Sequence, residues 1–286
     1  MIVTDKEYFM EKKYTEKLDL LIKRLEGTDD VVIIIDGDEG QGKTEFSAGT
    51  CYYVSQMMGR KYDVNNIFFN LDEVIDFAAK TKEQIIHFDE AALGLLTTQW
   101  QQKAQQKFIQ LIMTSRKKKH FILICIPKFH RLPQYVIEER TIGMVHIYSR
   151  KDMQKGRFCY FTKKRKNSLY HDWTKKKIKN YKKYHSFHGS FPLVMEKIFD
   201  DEGLKEYERK KDEAIMSITA TKQKPREAKW MEQRNRLIVG LRKKLNLNSP
   251  AVQELLISWG VEITASQIRE LTTLYGQQIP LQTKNT

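Results

Sequence analysis

Val31-Val32-Ile33-Ile34-Ile35-Asp36-Gly37-Asp38-Glu39-Gly40-Gln41-Gly42-Lys43-Thr44 is the stretch from which the rest of this chain can be read. Its aliphatic half predicts a strand buried on both faces, as in a parallel sheet. Its second half fits G-x-x-x-x-G-K-[ST], and each position has a chemical reason. Glycines let backbone N–H groups converge on phosphate with no Cβ in the way, and the helix that follows adds its dipole. Lys43 reaches the β- and γ-phosphates, while Thr44 offers a hydroxyl to Mg²⁺. The bland alternative is a glycine-rich turn with an exposed lysine. The position between a predicted strand and a predicted helix, which runs from Lys43 to about Met58, argues against it. The expected cofactors are ATP and Mg²⁺. Gly37, Gly40, Gln41, Gly42, Lys43, Thr44 and Glu45 are the expected nucleotide-binding residues, and Lys43 also counts as catalytic.

Working outward, Ile85-Ile86-His87-Phe88-Asp89-Glu90 ends an apolar strand on two carboxylates. Ligands bind at that edge in open α/β sheets. Asp89 is expected to hold Mg²⁺ through water, together with Thr44, and Glu90 to orient and deprotonate the attacking water. Alone, the two acids would be better read as capping a helix from Ala91. A second acid favours water over a substrate hydroxyl as nucleophile, which sets an ATPase above a small-molecule kinase.

Further elements follow from periodicity and punctuation. Helices are expected over 5–26, 71–79 and 99–119, with strands at 67–70, 84–89, 121–126, 142–148 and 157–162, the last a candidate for a hairpin. Phe108, Leu111 and Ile112 should point inward. Strands alternating with helices imply an α/β fold: a P-loop NTPase with a mostly parallel sheet, helices on both faces and a helical C-terminal module. Three regions are expected: 1–150 as the ATPase domain, 151–225 as a basic aromatic segment with a connecting helix over 201–219, and 226–286 as a helical module.

With these motifs in place, the chain resembles the P-loop ATPases that carry an additional strand and a catalytic glutamate. Within them it is similar to the HerA–FtsK group of DNA pumps, including phage packaging and zonula-occludens-toxin-like ATPases. Arg116-Lys117-Lys118-Lys119-His120 before an apolar strand, then Leu132-Pro133 and Arg140, carry that likeness over roughly residues 28–150. One departure is that Ile126-Pro127-Lys128 stands where that group ends its fourth strand with a polar sensor. The resemblance implies a homo-oligomeric ring in which an arginine enters a neighbour's site. Arg116 is the first candidate and Arg140 the second; an ordinary surface or DNA contact is the alternative for each.

Charge adds a partner. The net charge is +14, yet residues 1–150 hold 21 Lys+Arg and 21 Asp+Glu, whereas residues 151–185 hold 13 Lys+Arg against Asp152 and Asp172. Lysines neutralise phosphates and exposed rings can stack on bases, so this segment is expected to contact nucleic acid, double-stranded DNA first, through Lys163, Lys164, Arg165 and Lys166. A solvated face over packed aromatics is the alternative. At the C-terminus, Leu237, Leu241 and Leu245 are expected on one helix face. Ser249 then caps a helix with Pro250 at its first position. Thr264 and Gln267 form a capping box for another. This resembles a helix-turn-helix, with Arg269 among the candidate contacts, or a small protein-docking bundle. Widely spaced Cys51, Cys125 and Cys159, no long apolar run and no apolar leader point to a cytoplasmic protein without membrane insertion. The function expected from sequence is an ATP-driven nucleic-acid motor; an ATP-switched DNA-binding or helicase-loader protein is the alternative.

Overall fold

The computed structural model describes the chain except residues 1, 4, 6, 28, 90–100, 150–154, 221–225 and 276–286; the side chains at 2–3, 101–105, 114–116, 217–220 and 226–229 are also outside the description. The chain divides into two units, Met1–Ile218 and Thr219–Thr286.

In the first unit, β1 (Ile2–Val3) and β2 (Phe9–Met10) form an antiparallel ribbon. A seven-stranded sheet contains β3 (Val31–Asp36), β4 (Ile67–Phe68), β5 (Ile85–Phe88), β6 (Phe121–Ile126), β7 (Gly143–Tyr148), β8 (Arg157–Thr162) and β9 (Phe187–Ser190) in the order β4-β5-β6-β3-β7-β8-β9. The five strands from β4 to β7 in that order are parallel. β8 and β9 extend the sheet in antiparallel fashion.

The central position of β3 follows from its composition. Side chains of a strand alternate between faces, so a strand apolar at every position must be covered on both. Val32 and Ile34 enter one core with α3 (Leu71–Lys80), α4 (Gln101–Thr114) and α5 (Lys163–Lys176). Val31, Ile33 and Ile35 enter the other with α1 (Lys12–Glu26) and α2 (Lys43–Met58). The α/β architecture, with a mostly parallel sheet and helices around it, is as expected.

Several boundaries move for local reasons. The first helix begins at Lys12 because Phe9 and Met10 pair with β1. β4 stops at Phe68, since Asn70 caps α3 by accepting from Asp72 N at 2.8 Å. α4 ends at Thr114 and continues as a tight 3₁₀ turn over Ser115–Lys118. Periodicity did not foresee α5, the short α6 (Tyr181–Tyr184), β9 or the short α7 (Met195–Ile198), all inside or after the basic segment. α8 (Asp201–Ala220) is the expected polar helix.

The second unit holds α9 (Arg226–Leu245), α10 (Ser249–Ser258) and α11 (Ala265–Tyr275) around Ile238, Val252, Leu256, Ile263 and Ile268. Leu237 and Leu245 are exposed and Ile238 and Val239 are buried, so the inward stripe of α9 is one position off the expected one. The cap of α10 is Asn248, accepting from Ala251 N, and Ser249 is buried inside the first turn. Thr264 and Gln267 do exchange capping bonds at 3.0 and 3.3 Å. Arg269 lies on the exposed side of α11. No helix among the described residues is long and apolar enough to cross a membrane.

Candidate nucleotide site

β3 delivers the loop Gly37–Gly42 to the C-terminal edge of the parallel strands. Gly37 has φ 151°, and a Cβ there would stand 2.5 Å from the Ile147 carbonyl on β7, so no other residue fits without displacing that strand. Gly42, at φ 96°, caps α2, and no side chain makes a capping hydrogen bond there. An uncovered helix start beside glycine-rich backbone is an anion cradle. Lys43 Nζ donates to the carbonyls of Gly37 (2.9 Å) and Asp38 (2.8 Å), which keeps the ammonium arched over the loop.

The two sequence motifs meet here. Thr44 Oγ1 donates to Asp89 Oδ2 at 2.8 Å, across 45 residues of sequence. A hydroxyl and a buried carboxylate side by side are the hard oxygen ligands that suit Mg²⁺, directly or through water. Glu90 lies outside the described residues. Gln41 is held by the Ser149 hydroxyl, which accounts for its side chain without a ligand. The Glu45 carboxylate accepts from Val194 N (2.6 Å) and Met195 N (2.9 Å), so its side chain secures α7 rather than facing the loop.

Three features escaped the sequence reading. First, buried Asp36 anchors the loop entrance. Its Oδ1 accepts from Phe129 N at 2.8 Å, and its Oδ2 meets the Tyr181 hydroxyl at 2.9 Å and His146 Nδ1 at 2.7 Å. The His146 and Tyr181 rings stack with centroids 3.7 Å apart. A histidine within the apolar run of β7 was the available signal. Second, beneath Asp89 lie His87 and Cys125, the three offering potential metal-ligand atoms within 4.8 Å of one another. His87 Nδ1 contacts the Tyr62 hydroxyl at 3.0 Å, and Ser47 lies 2.9 Å from Cys125 Sγ. Burial pushes the His87 pKa down and that of the Cys125 thiol well up, so both are neutral and read as packing under the carboxylate. Third, α8 walls the site. A cleft of about 690 Å³ runs from Gly40, Lys43, Thr44 and Asp89 to Leu204, Tyr207 and Lys211.

Other candidates fall elsewhere. Arg140 donates to Asp30 Oδ2 at 2.7 Å and to the Ile112 carbonyl at 2.6 Å. Asp30 precedes β3, at the edge opposite the loop, so Arg140 forms an ion pair there, away from this chain's own glycine loop. Arg116 sits in the 3₁₀ turn before β6, which begins at that same opposite edge; its side chain lies outside the described residues.

The basic segment is also rearranged. Phe158, Tyr160, Phe161 and Tyr170 are buried, and Trp173, Tyr181 and Tyr184 pack against the core, so these rings are not a stacking platform. Lys166 is fully buried on the inner face of α5 and cannot reach a phosphate. Lys163, Lys164 and Arg165 are exposed; Lys163 Nζ donates to the Glu139 carbonyl at 2.8 Å and Arg165 to the His185 carbonyl at 2.6 Å.

Comparison with known proteins agrees with the geometry. The family model for novel STAND NTPase 3 matches residues 8–131. No curated protein and no solved structure matches the chain. The matched region contains β3, the glycine loop, α2 and the Thr44–Asp89 pair, and the chain has the α/β fold of a P-loop NTPase.

Proposed function

We propose that the protein is a Mg²⁺-dependent ATPase working as a nucleotide-controlled switch that engages nucleic acid. The observation that carries this reading is the Thr44–Asp89 contact at the glycine loop inside a cleft walled by α8. Main-chain N–H groups of residues 40–44 would hold the phosphates, and Lys43 would exchange its two loop carbonyls for phosphate oxygens. Thr44 and Asp89 would hold Mg²⁺, which supplies charge neutralisation to the phosphates when bound. Glu90, next to Asp89 in sequence, would take the proton of the attacking water.

A switch is favoured over a processive motor by two observations. Arg140 is committed to Asp30, and the aromatic rings of the basic segment belong to the core. The motor reading, a ring translocating duplex DNA, keeps the concentration of positive charge over residues 151–185 in its favour. Both readings need a nucleic-acid contact, and exposed Lys164, Lys175 and Lys176 are the groups best placed to make it. Replacing these three by glutamine should weaken binding to all DNA sequences about equally, because phosphate contacts carry no base information. Every phosphate that no longer meets a lysine should flatten the slope of log K against log salt by roughly 0.9 on duplex DNA. Filter binding across a salt series reads both quantities, and unchanged affinity with unchanged slope would leave these lysines as a solvated face. Strand or roadblock displacement driven by ATP would decide for the motor. Phosphate transfer to a small acceptor, with no effect of DNA, would decide for a kinase.

A further inference from the structure

Thr44 shares its carboxylate oxygen. Asp89 Oδ2 also receives the Tyr207 hydroxyl, at 3.1 Å, from the middle of α8. The Tyr207 ring is buried and lies 5.6 Å from Phe69. Burial, and then the charge of Asp89, push the phenol pKa up, so Tyr207 remains a neutral donor. α8 is fastened on both sides of this contact. Lys210 Nζ donates to the carbonyls of Val64 (3.1 Å) and Ile67 (3.0 Å). Tyr207 joins Ile67, Phe69, Met195 and Phe199 in an apolar cluster, with Leu204 packed against it. The cleft so formed is lined by Glu39, Glu196 and Glu208 in addition to Asp89, against Lys43 and Lys211. Carboxylates outnumber ammonium groups among these side chains, which favours a phosphate chain that arrives with a divalent cation.

We propose that Tyr207 is a metal-displaceable latch: its hydroxyl and the hydration shell of a nucleotide-bound Mg²⁺ are alternative partners for the same oxygen of Asp89. With Tyr207 on Asp89, α8 is tied across the phosphate loop. For Asp89 to serve the metal, Tyr207 must release it, and α8 loses its hydrogen bond to the end of β5 while Lys210 still holds it at Val64 and Ile67. This rests on the reading of the loop as a Mg²⁺–nucleotide site. It adds that the occupancy of that site is reported by α8, the last helix before the chain continues into residues 219–286. A latch of this kind opposes binding by the strength of one hydrogen bond to a charged acceptor, which corresponds to about tenfold to a hundredfold in affinity.

The test is Tyr207→Phe, which keeps the ring and its contact with Phe69 and removes only the hydroxyl. A fluorescent, slowly hydrolysed ATP analogue is titrated into wild type and variant, with Mg²⁺ and with EDTA. The expected result is tighter binding by the variant in Mg²⁺, by tenfold or more, with equal affinities in EDTA. Equal affinities in Mg²⁺ would overturn the latch and leave the nucleotide site standing. Weaker binding in Mg²⁺ would also overturn it, because Tyr207 would then assist the metal. A gain of the same size in EDTA would overturn it too, showing relief of a steric lid instead of metal competition. Absence of binding by both proteins in both conditions would overturn the nucleotide-site reading, and the latch with it.

Discussion

Lys43→Ala is expected to lower ATP hydrolysis by about a hundredfold or more and to weaken nucleotide binding with it. Asp89→Asn should lower hydrolysis comparably while sparing Mg²⁺-free binding. Lys43 now spends two hydrogen bonds on the carbonyls of Gly37 and Asp38. It can exchange them for charge-assisted bonds to phosphate, which are stronger and shorter than neutral ones. Each such bond is worth about 1.5–3 kcal/mol, so losing one or two removes roughly one to four powers of ten. Asp89→Asn is close to isosteric, and its carbonyl oxygen can still accept from Thr44 and Tyr207. What disappears is the negative charge that favours a divalent cation. Glu90→Gln makes the third arm, with nucleotide bound and hydrolysis lost. Malachite-green phosphate release and analogue binding, with Mg²⁺ and with EDTA, distinguish the three patterns. Wild-type turnover in Lys43→Ala would remove the loop from the chemistry.

The first half of the fold was legible because its signals are local and redundant. β3 and β6 agree with their expected limits residue for residue, and α2 opens at Lys43 and ends about where expected, each being an unbroken apolar run or a helix opened by the glycine loop. The Thr44–Asp89 meeting was legible too, since parallel strands of one sheet, here β3 and β5 with β6 between them, bring their C-terminal ends to one edge. The share α8 takes in the site was not legible. Nothing local marks Tyr207 as a cleft residue in a highly charged helix, and its partner Asp89 is 118 positions away. In the basic segment, charge density drew attention away from periodicity. Lys166, Leu169, Tyr170 and Trp173 recur at helical spacing, and that stripe faces the core. Read by spacing instead of by charge, α5 would have been found, and Lys166 would have been placed on its buried side.

Lys166→Met is expected to stabilise the protein, and the gain should be greatest below neutral pH. Lys166 is fully buried, and its Nζ has no hydrogen-bond partner. Burial brings its pKa down to about 7 from 10.5, with Lys163 adding to the fall and Glu138 and Glu139 opposing it. The folded pKa therefore lies below the unfolded one. Between about pH 7 and 10.5 the unfolded chain holds a proton that the folded chain has released, so stability rises with pH across that window. Below pH 7 both states are charged and the desolvation cost is present in full. This one group should contribute a slope of up to about 1.4 kcal/mol per pH unit within the window. Methionine has comparable length, no charge and an adaptable shape, so it can fill the space among Leu169, Tyr170 and their neighbours. Replacing buried ionic groups by apolar ones of similar volume is worth about 1–4 kcal/mol where the packing is retained. Urea unfolding at pH 6 and pH 9 should show the variant more stable at pH 6 by an amount of that order, with the difference shrinking toward pH 9. A difference of equal size at both values would mean that Lys166 keeps its proton on folding. A variant less stable at pH 6 would mean that the lysine stem packs better than methionine and that its ammonium finds compensation within α5.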